Sequence, residues 1–140
     1  MYIPPRKDDN MNYHTTIPDA STTDFQLALQ KSLSLPSAEI AIVAHSLQIL
    51  KMPDVGSVLG VNIVQDLKNF RIAKTANKTI HLVTEKIFPS GFNGTLLAPY
   101  ISLELLAEAV TALRPADVVY LPLSDKELKE YLANNNSRPI

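Results

Sequence analysis

The chain has 140 residues, a formal net charge of −1 and no cysteine. The small charge provides no overall field that would attract a polyanion, and the lack of cysteine excludes disulfides, thiolate catalysis and thiolate metal sites. The beginning of the chain has no apolar signal segment, and no apolar run is long enough to cross a bilayer. We therefore expect a soluble, cytoplasmic protein that does not contact a membrane.

The first 23 residues are polar, contain three prolines and show almost no apolar periodicity. This composition predicts a flexible N-terminal arm over 1–23, followed by a single globular domain over 24–133. Tyr2, Ile3 and Tyr13 are apolar groups within the arm. Two interpretations stay open, a floppy terminus and an arm that becomes ordered in an oligomer.

The next part of the chain predicts helices. Phe25, Leu29 and Leu33 are spaced as one face of a helix. The run 38–52 is ambiguous, because it has a helical stripe but also contains the strand-like segment 40–43. Its length favours a helix over a strand.

A further helix over 55–70 follows, and then a hairpin. Val55, Leu59 and Ile63 fall four residues apart, which is the spacing of one helix face. Over 70–88, apolar and polar residues alternate on both sides of a short polar turn, which predicts two antiparallel strands.

The last third of the chain has the clearest local signals. Ser102 is a candidate N-cap for a helix over 103–114, with an inward face. The β-branched and aromatic run 118–121 predicts a buried strand, and a capping-box pattern at 124–127 predicts a final helix that ends near 134. The residues expected to be buried on the first of these helices are Leu106, Val110 and Leu113.

These elements predict an α/β or α+β fold. We expect a small mixed sheet of about three strands with helices packed on it, and a disordered tail over 134–140. If the strands at Ile80 and Val118 are neighbours, the intervening helix makes their connection a parallel, right-handed crossover.

A basic stretch is a candidate nucleic-acid surface. Between residues 62 and 86 five basic residues oppose two acidic ones, whereas residues 87–137 carry a net charge of −3. Helices followed by a basic hairpin resemble a winged helix in outline, although Asp66 stands where a recognition helix normally turns an apolar residue inward. The alternative is a solvated hairpin. The candidate phosphate contacts are Lys68, Arg71, Lys74 and Lys78.

A glycine-containing loop is a candidate ligand site, because phosphate-binding loops stand between a strand and a helix. The loop lacks the Lys-Ser/Thr ending of a P-loop and the third glycine of a dinucleotide fingerprint. We expect it at the carboxyl end of its strand, where ligands bind in open α/β sheets. The alternative is an ordinary glycine turn. The candidate residues are Lys86, Ser90, Gly91, Asn93, Gly94 and Thr95.

Catalytic and metal signals are weak. The histidines, at positions 14, 45 and 81, have no metal-ligand spacing, so we expect no metal site. We assign no catalytic residue, expect no cofactor, and interpret Glu104 and Glu108 as a solvated helical face.

The sequence therefore favours a binding, regulatory or assembly protein that acts on a protein partner or on a second copy of itself. One alternative is nucleic-acid binding through 68–86. Another is a small-ligand or phosphate-binding protein, in one version an enzyme, with its site at 90–95.

Overall fold

The computed structural model describes residues 11–15, 22–75 and 77–140. The strands are β1 (Met11–His14), β2 (Glu39–Val43), β3 (Ile72–Thr75), β4 (Lys78–Val83), β5 (Gly94–Pro99), β6 (Asp117–Leu121) and β7 (Ser137–Pro139). The helices are α1 (Thr22–Ser34), α2 (Pro53–Leu59), α3 (Val61–Phe70), α4 (Leu103–Leu113) and α5 (Asp125–Asn134), with a short 3₁₀ helix at Leu47–Lys51. None of these helices is long and apolar enough to cross a membrane.

All the described strands belong to one mixed sheet with the order β3-β4-β2-β5-β6-β1-β7. Only β3 is antiparallel to its neighbour, β4, and the other pairs are parallel. The predicted α/β class is confirmed, but the sheet has seven strands rather than about three.

The sequence pattern did not predict two of the central strands. Strand β2 lies in the run 38–52, for which we expected a helix, and β5 begins at Gly94 and Thr95, which we expected in a loop. Every residue of β5 is buried, and so are four of the five in β2. The sequence of a strand covered on both faces is a continuous apolar run, and it lacks the alternation that identifies a half-exposed strand.

Helices cover the sheet on both faces. On the face we call the first, Ile40 and Ile42 pack in a core with α1, α2 and α3. On the second face, Ala41 and Val43 belong to a separate core with α4 and Tyr131 of α5. The sheet is therefore the middle layer of three.

The direction of each connection follows one rule. Connections that run toward β3, namely β1 to β2 and β2 to β4, pass over the first face. Those that run the other way, from β4 to β5, β5 to β6 and β6 to β7, pass over the second face. All the crossovers thus share one hand, as expected for parallel strands. The strands at Ile80 and Val118 are not neighbours, however, because β2 and β5 lie between them.

The predicted hairpin and α4 are present. Strands β3 and β4 form the hairpin, and Ser102 Oγ accepts a hydrogen bond from Leu105 N as the N-cap of α4. Leu106 and Leu113 are buried, but Val110 is 36% exposed. The inward face of α4 is rotated from the expected one, and Leu105 and Ala109 are buried instead.

Both ends of the chain contribute strands. The predicted arm includes β1, which pairs with β6, while residues 1–10 and 16–21 lie outside the described part. The predicted tail includes β7, which pairs with β1. His14 Nδ1 lies 2.7 Å from Ser137 Oγ and joins the two strands, and burial lowers the pKa of this histidine.

Candidate functional site

The carboxyl ends of β2 and β5 form the topological switch point of the sheet. These strands are neighbours, yet the chain leaves β2 over the first face and leaves β5 over the second. In open α/β sheets, ligands bind in the crevice outside the carboxyl ends of the strands at such a divergence. We define the switch-point crevice by His45, Ser46, Asp54, Tyr100 and Ser102.

The second-face side of the crevice is the N-terminus of α4. Ser102 N donates a long hydrogen bond, 3.4 Å, to Nε2 of the exposed His45. Ser102 Oγ accepts from Leu105 N at 3.2 Å. This arrangement leaves the amides of Leu103 and Glu104 as the first-turn donors that the cap does not use. The positive end of the helix dipole and these amides favour an anion.

The first-face side of the crevice is a tyrosine held by a carboxylate. Tyr100 OH donates to Asp54 Oδ2 at 3.1 Å, and both side chains are buried. Burial, and then the negative charges of Asp54 and Asp24, raise the pKa of Tyr100, so its hydroxyl stays a neutral donor.

The backbone of Tyr100 is unusual for a residue with a side chain. Its φ is 60°, in the left-handed region, which costs about 1–3 kcal/mol for a non-glycine residue. Its amide donates to Leu121 O at 2.9 Å, and this bond, together with the bond to Asp54, holds the conformation. The turn after β5 is thereby fixed, and it sets the position of Ser102.

The predicted ligand loop leads to the opposite ends of the strands, their amino ends. After β4 the chain crosses to the amino end of β5, and Gly94 and Thr95 are the first residues of that strand rather than a loop. The expected position at a carboxyl strand end is therefore wrong for them. Lys86 Nζ is engaged by the Glu108 carboxylate at 3.1 Å, and Thr95 Oγ1 is buried with no partner among the described residues.

Two features of this loop have packing explanations. A Cβ on Gly94 would stand 2.1 Å from the main-chain oxygen of Glu39, so only glycine fits beside β2. Asn93 N donates to Glu39 Oε2 at 3.2 Å, while Glu39 Oε1 lies 3.0 Å from His81 Nε2. Ser90 and Gly91 are exposed. A ligand role for these loop residues stays a prediction.

The four basic candidates do not all lie on one surface, because Lys74 and Lys78 are on opposite sides of the sheet. Lys78 Nζ donates to Leu35 O at 2.7 Å and to Ser37 O, and Arg71 Nη1 donates to Lys68 O at 2.8 Å. Lys78 shares its side of the sheet with the buried first-face residues of β4, whereas Lys74 alternates to the other side. Two of the four cations are thus already bonded to backbone carbonyls.

Sequence reasoning identified Ser102 only as a helix cap, placed His45 on a helix, and gave Asp54 and Tyr100 no functional role. A usable signal was present. In both places a short apolar run, 40–44 and 96–99, is followed within three residues by a serine that caps a helical segment, Ser46 or Ser102. In a parallel sheet, such transitions mark the carboxyl ends of strands.

No family model, no curated protein and no solved structure matches this chain. Among the described residues, no cluster of three or more His, Cys, Asp or Glu side chains could hold a metal ion. Function is therefore inferred from the geometry of the switch-point crevice.

Proposed function

We propose that the protein binds a small ligand with an anionic group, a phosphate or a carboxylate, in the switch-point crevice. The observation that carries this proposal is the divergence of the chain from the neighbouring strands β2 and β5, because ligands of open α/β sheets bind at such a switch point. The proposal keeps the ligand class of one sequence-based hypothesis but moves the site away from residues 90–95.

The two walls of the crevice supply different chemistry. On the second-face side, the amides of Leu103 and Glu104 donate to the anionic group, and His45, which accepts from Ser102 N, lies beside them. On the first-face side, the Tyr100–Asp54 pair supplies polar atoms that interact with the rest of the ligand. Ser46 caps the 3₁₀ helix by accepting from Gln48 N, which fixes the chain after β2.

The chain offers a matched pair of variants as a test. Ser102 and Ser124 cap α4 and α5 with the same geometry, each Oγ accepting from an amide at 3.2 Å. Aspartate caps helices as well as serine does, so Ser102→Asp and Ser124→Asp should both fold. Only Ser102→Asp places a carboxylate in the crevice, where it repels an anion.

The dissociation constant for pyrophosphate is measured by isothermal titration calorimetry at low ionic strength. We expect wild type and Ser124→Asp to bind alike and Ser102→Asp to bind at least about tenfold more weakly, which corresponds to about 1.4 kcal/mol. Glu104→Gln should tighten binding, because it removes a like charge beside the anion. Equal binding by both capping variants would contradict the proposal.

The geometry bears on only one of the other sequence-based hypotheses. Nucleic-acid binding through 68–86 loses support, because Arg71 and Lys78 are bonded to backbone carbonyls and Lys74 and Lys78 lie on opposite sides of the sheet. A role in binding a protein partner stays a prediction, as do self-association and a cytoplasmic location.

A further inference from the structure

Strand β3 is an edge of the sheet with unused backbone groups. Among the described residues it pairs only with β4. Leu82 N donates to Arg71 O at 2.9 Å, which makes these two residues a hydrogen-bonded pair of the antiparallel ladder. Such pairs alternate along the ladder, so the N–H and C=O groups of Ile72 and Lys74 point away from β4, toward the open edge.

Exposed apolar side chains line a groove beside this edge, and the groove extends over His81 and Val83 of β4 on the second face of the sheet. Phe70 is 69% exposed, Ile72 is 40% exposed and Ile87 is 72% exposed. All three line one shallow groove of about 380 Å³, together with Phe88 and Pro89. Proteins normally protect an edge strand, and a cluster of exposed apolar side chains marks an interaction surface.

The charge beside this edge selects an acidic partner. Lys74 is exposed on β3, Lys68 is exposed on α3, and the half-buried Arg71 precedes the strand, whereas Glu85 is the acidic residue that lines the groove. Two copies of this edge would bring like charges together, which disfavours self-pairing. A nucleic acid has no backbone that matches alternating N–H and C=O groups.

We propose that an extended, acidic segment of another protein docks on β3 as an additional strand. Its backbone pairs with Ile72 and Lys74, as in other complexes formed by strand addition. Its apolar side chains cover Phe70, Ile72 and Ile87, and its carboxylates lie beside Lys74. None of its residues belongs to the switch-point crevice, so each proposal can fail without the other.

The test uses a fluorescein-labelled peptide of ten residues with the repeat Val-Thr-Glu-Thr, measured by fluorescence anisotropy with the full chain. Valine and glutamate then alternate along one face of the added strand, as Ile72 and Lys74 do on β3. We expect micromolar binding that is weakened roughly tenfold or more by Lys74→Glu, a 1.4 kcal/mol effect for each tenfold step. Lys126→Glu reverses an exposed charge on α5 and should leave binding unchanged.

A methylated control peptide and the amide resonances of β3 complete the test. The same peptide methylated on every backbone nitrogen should not bind, because it has no N–H group with which to complete the ladder. The amide resonances of Ile72 and Lys74 should shift only with the unmethylated peptide. Failure of the acidic peptide to bind at millimolar concentration would overturn the proposal, as would equal binding of the methylated peptide. A dimer in sedimentation that Ile72→Lys dissociates would assign the edge to a second copy and would also overturn it.

Discussion

Tyr100 OH donates to Asp54 Oδ2 at 3.1 Å and so joins the end of β5 to the first turn of α2 on the first-face side of the crevice. Asp54 is only 9% exposed, and removing a hydrogen-bond donor from a buried carboxylate lowers the stability of the fold. The bond therefore stabilises the first-face wall of the proposed site as well as the fold.

Tyr100→Phe should lower the free energy of unfolding by about 1–3 kcal/mol, since it leaves the Asp54 carboxylate without this donor. Tyr120→Phe is the matched control. Tyr120 OH is buried and has no hydrogen-bond partner among the described residues, so its removal should be neutral or stabilising. Urea unfolding at neutral pH measures both. Equal destabilisation by the two variants would show that the Tyr100–Asp54 bond is not important for stability.

Alanine substitution should affect stability differently at Gly94 and at Gly56. A Cβ on Gly94 would meet the backbone of Glu39 at 2.1 Å, which a rotamer change cannot relieve. Gly94→Ala should cost about 1–3 kcal/mol or more, as overpacked sites do. In α2, Gly56→Ala meets its nearest atom at 3.4 Å, and should be neutral or gain up to about 1 kcal/mol from helix propensity. Thermal unfolding separates the two, and a tolerated Gly94→Ala would refute the close approach of β2 and β5.

Leu106 and Val110 test the packing of α4. Leu106 is 4% exposed in the second-face core, so Leu106→Ala should cost about 2–5 kcal/mol. Val110 is 36% exposed, so Val110→Ala should cost clearly less than Leu106→Ala. Urea denaturation that finds similar costs would place α4 in the orientation expected from the sequence rather than the observed one.

His14 makes stability depend on pH. Burial lowers its pKa in the folded protein below the ordinary value of 6.5. As pH falls below 6.5, the unfolded chain binds a proton that the folded chain does not, and stability decreases until the folded pKa is reached. His14→Asn should therefore lose less stability than wild type between pH 8 and pH 5. The other histidines are common to both proteins, so a parallel decrease would exclude His14 as the cause.

Local signals in the sequence predicted some elements well. The cap at Ser102, the helix that follows it and the β3–β4 hairpin all depend on interactions between residues near in sequence. Strands β2 and β5 were missed because burial on both faces removes the alternating pattern. Strands β1 and β7 were missed because each is short and is stabilised by distant pairing, with β6 and β1 respectively.

The candidate site was harder to predict than the fold. His45, Asp54 and Tyr100 come from three separate segments, and only the order of the strands brings them together. The glycines at 91 and 94 resembled a phosphate loop, but Gly94 is required by the close approach of Glu39. Spacing along the chain could not distinguish a packing glycine from a ligand-binding one.

A pyrophosphate titration of the isotopically labelled protein, followed through its backbone amide resonances, directly tests anion binding in the switch-point crevice. We expect the largest shifts on His45, Ser46, Leu103 and Glu104, and we expect them to saturate together. Ser124→Asp should leave this pattern unchanged, and Ser102→Asp should remove it. Shifts concentrated on residues 90–95 or on Lys68, Lys74 and Lys78, or no saturable shifts at all, would contradict the proposed site.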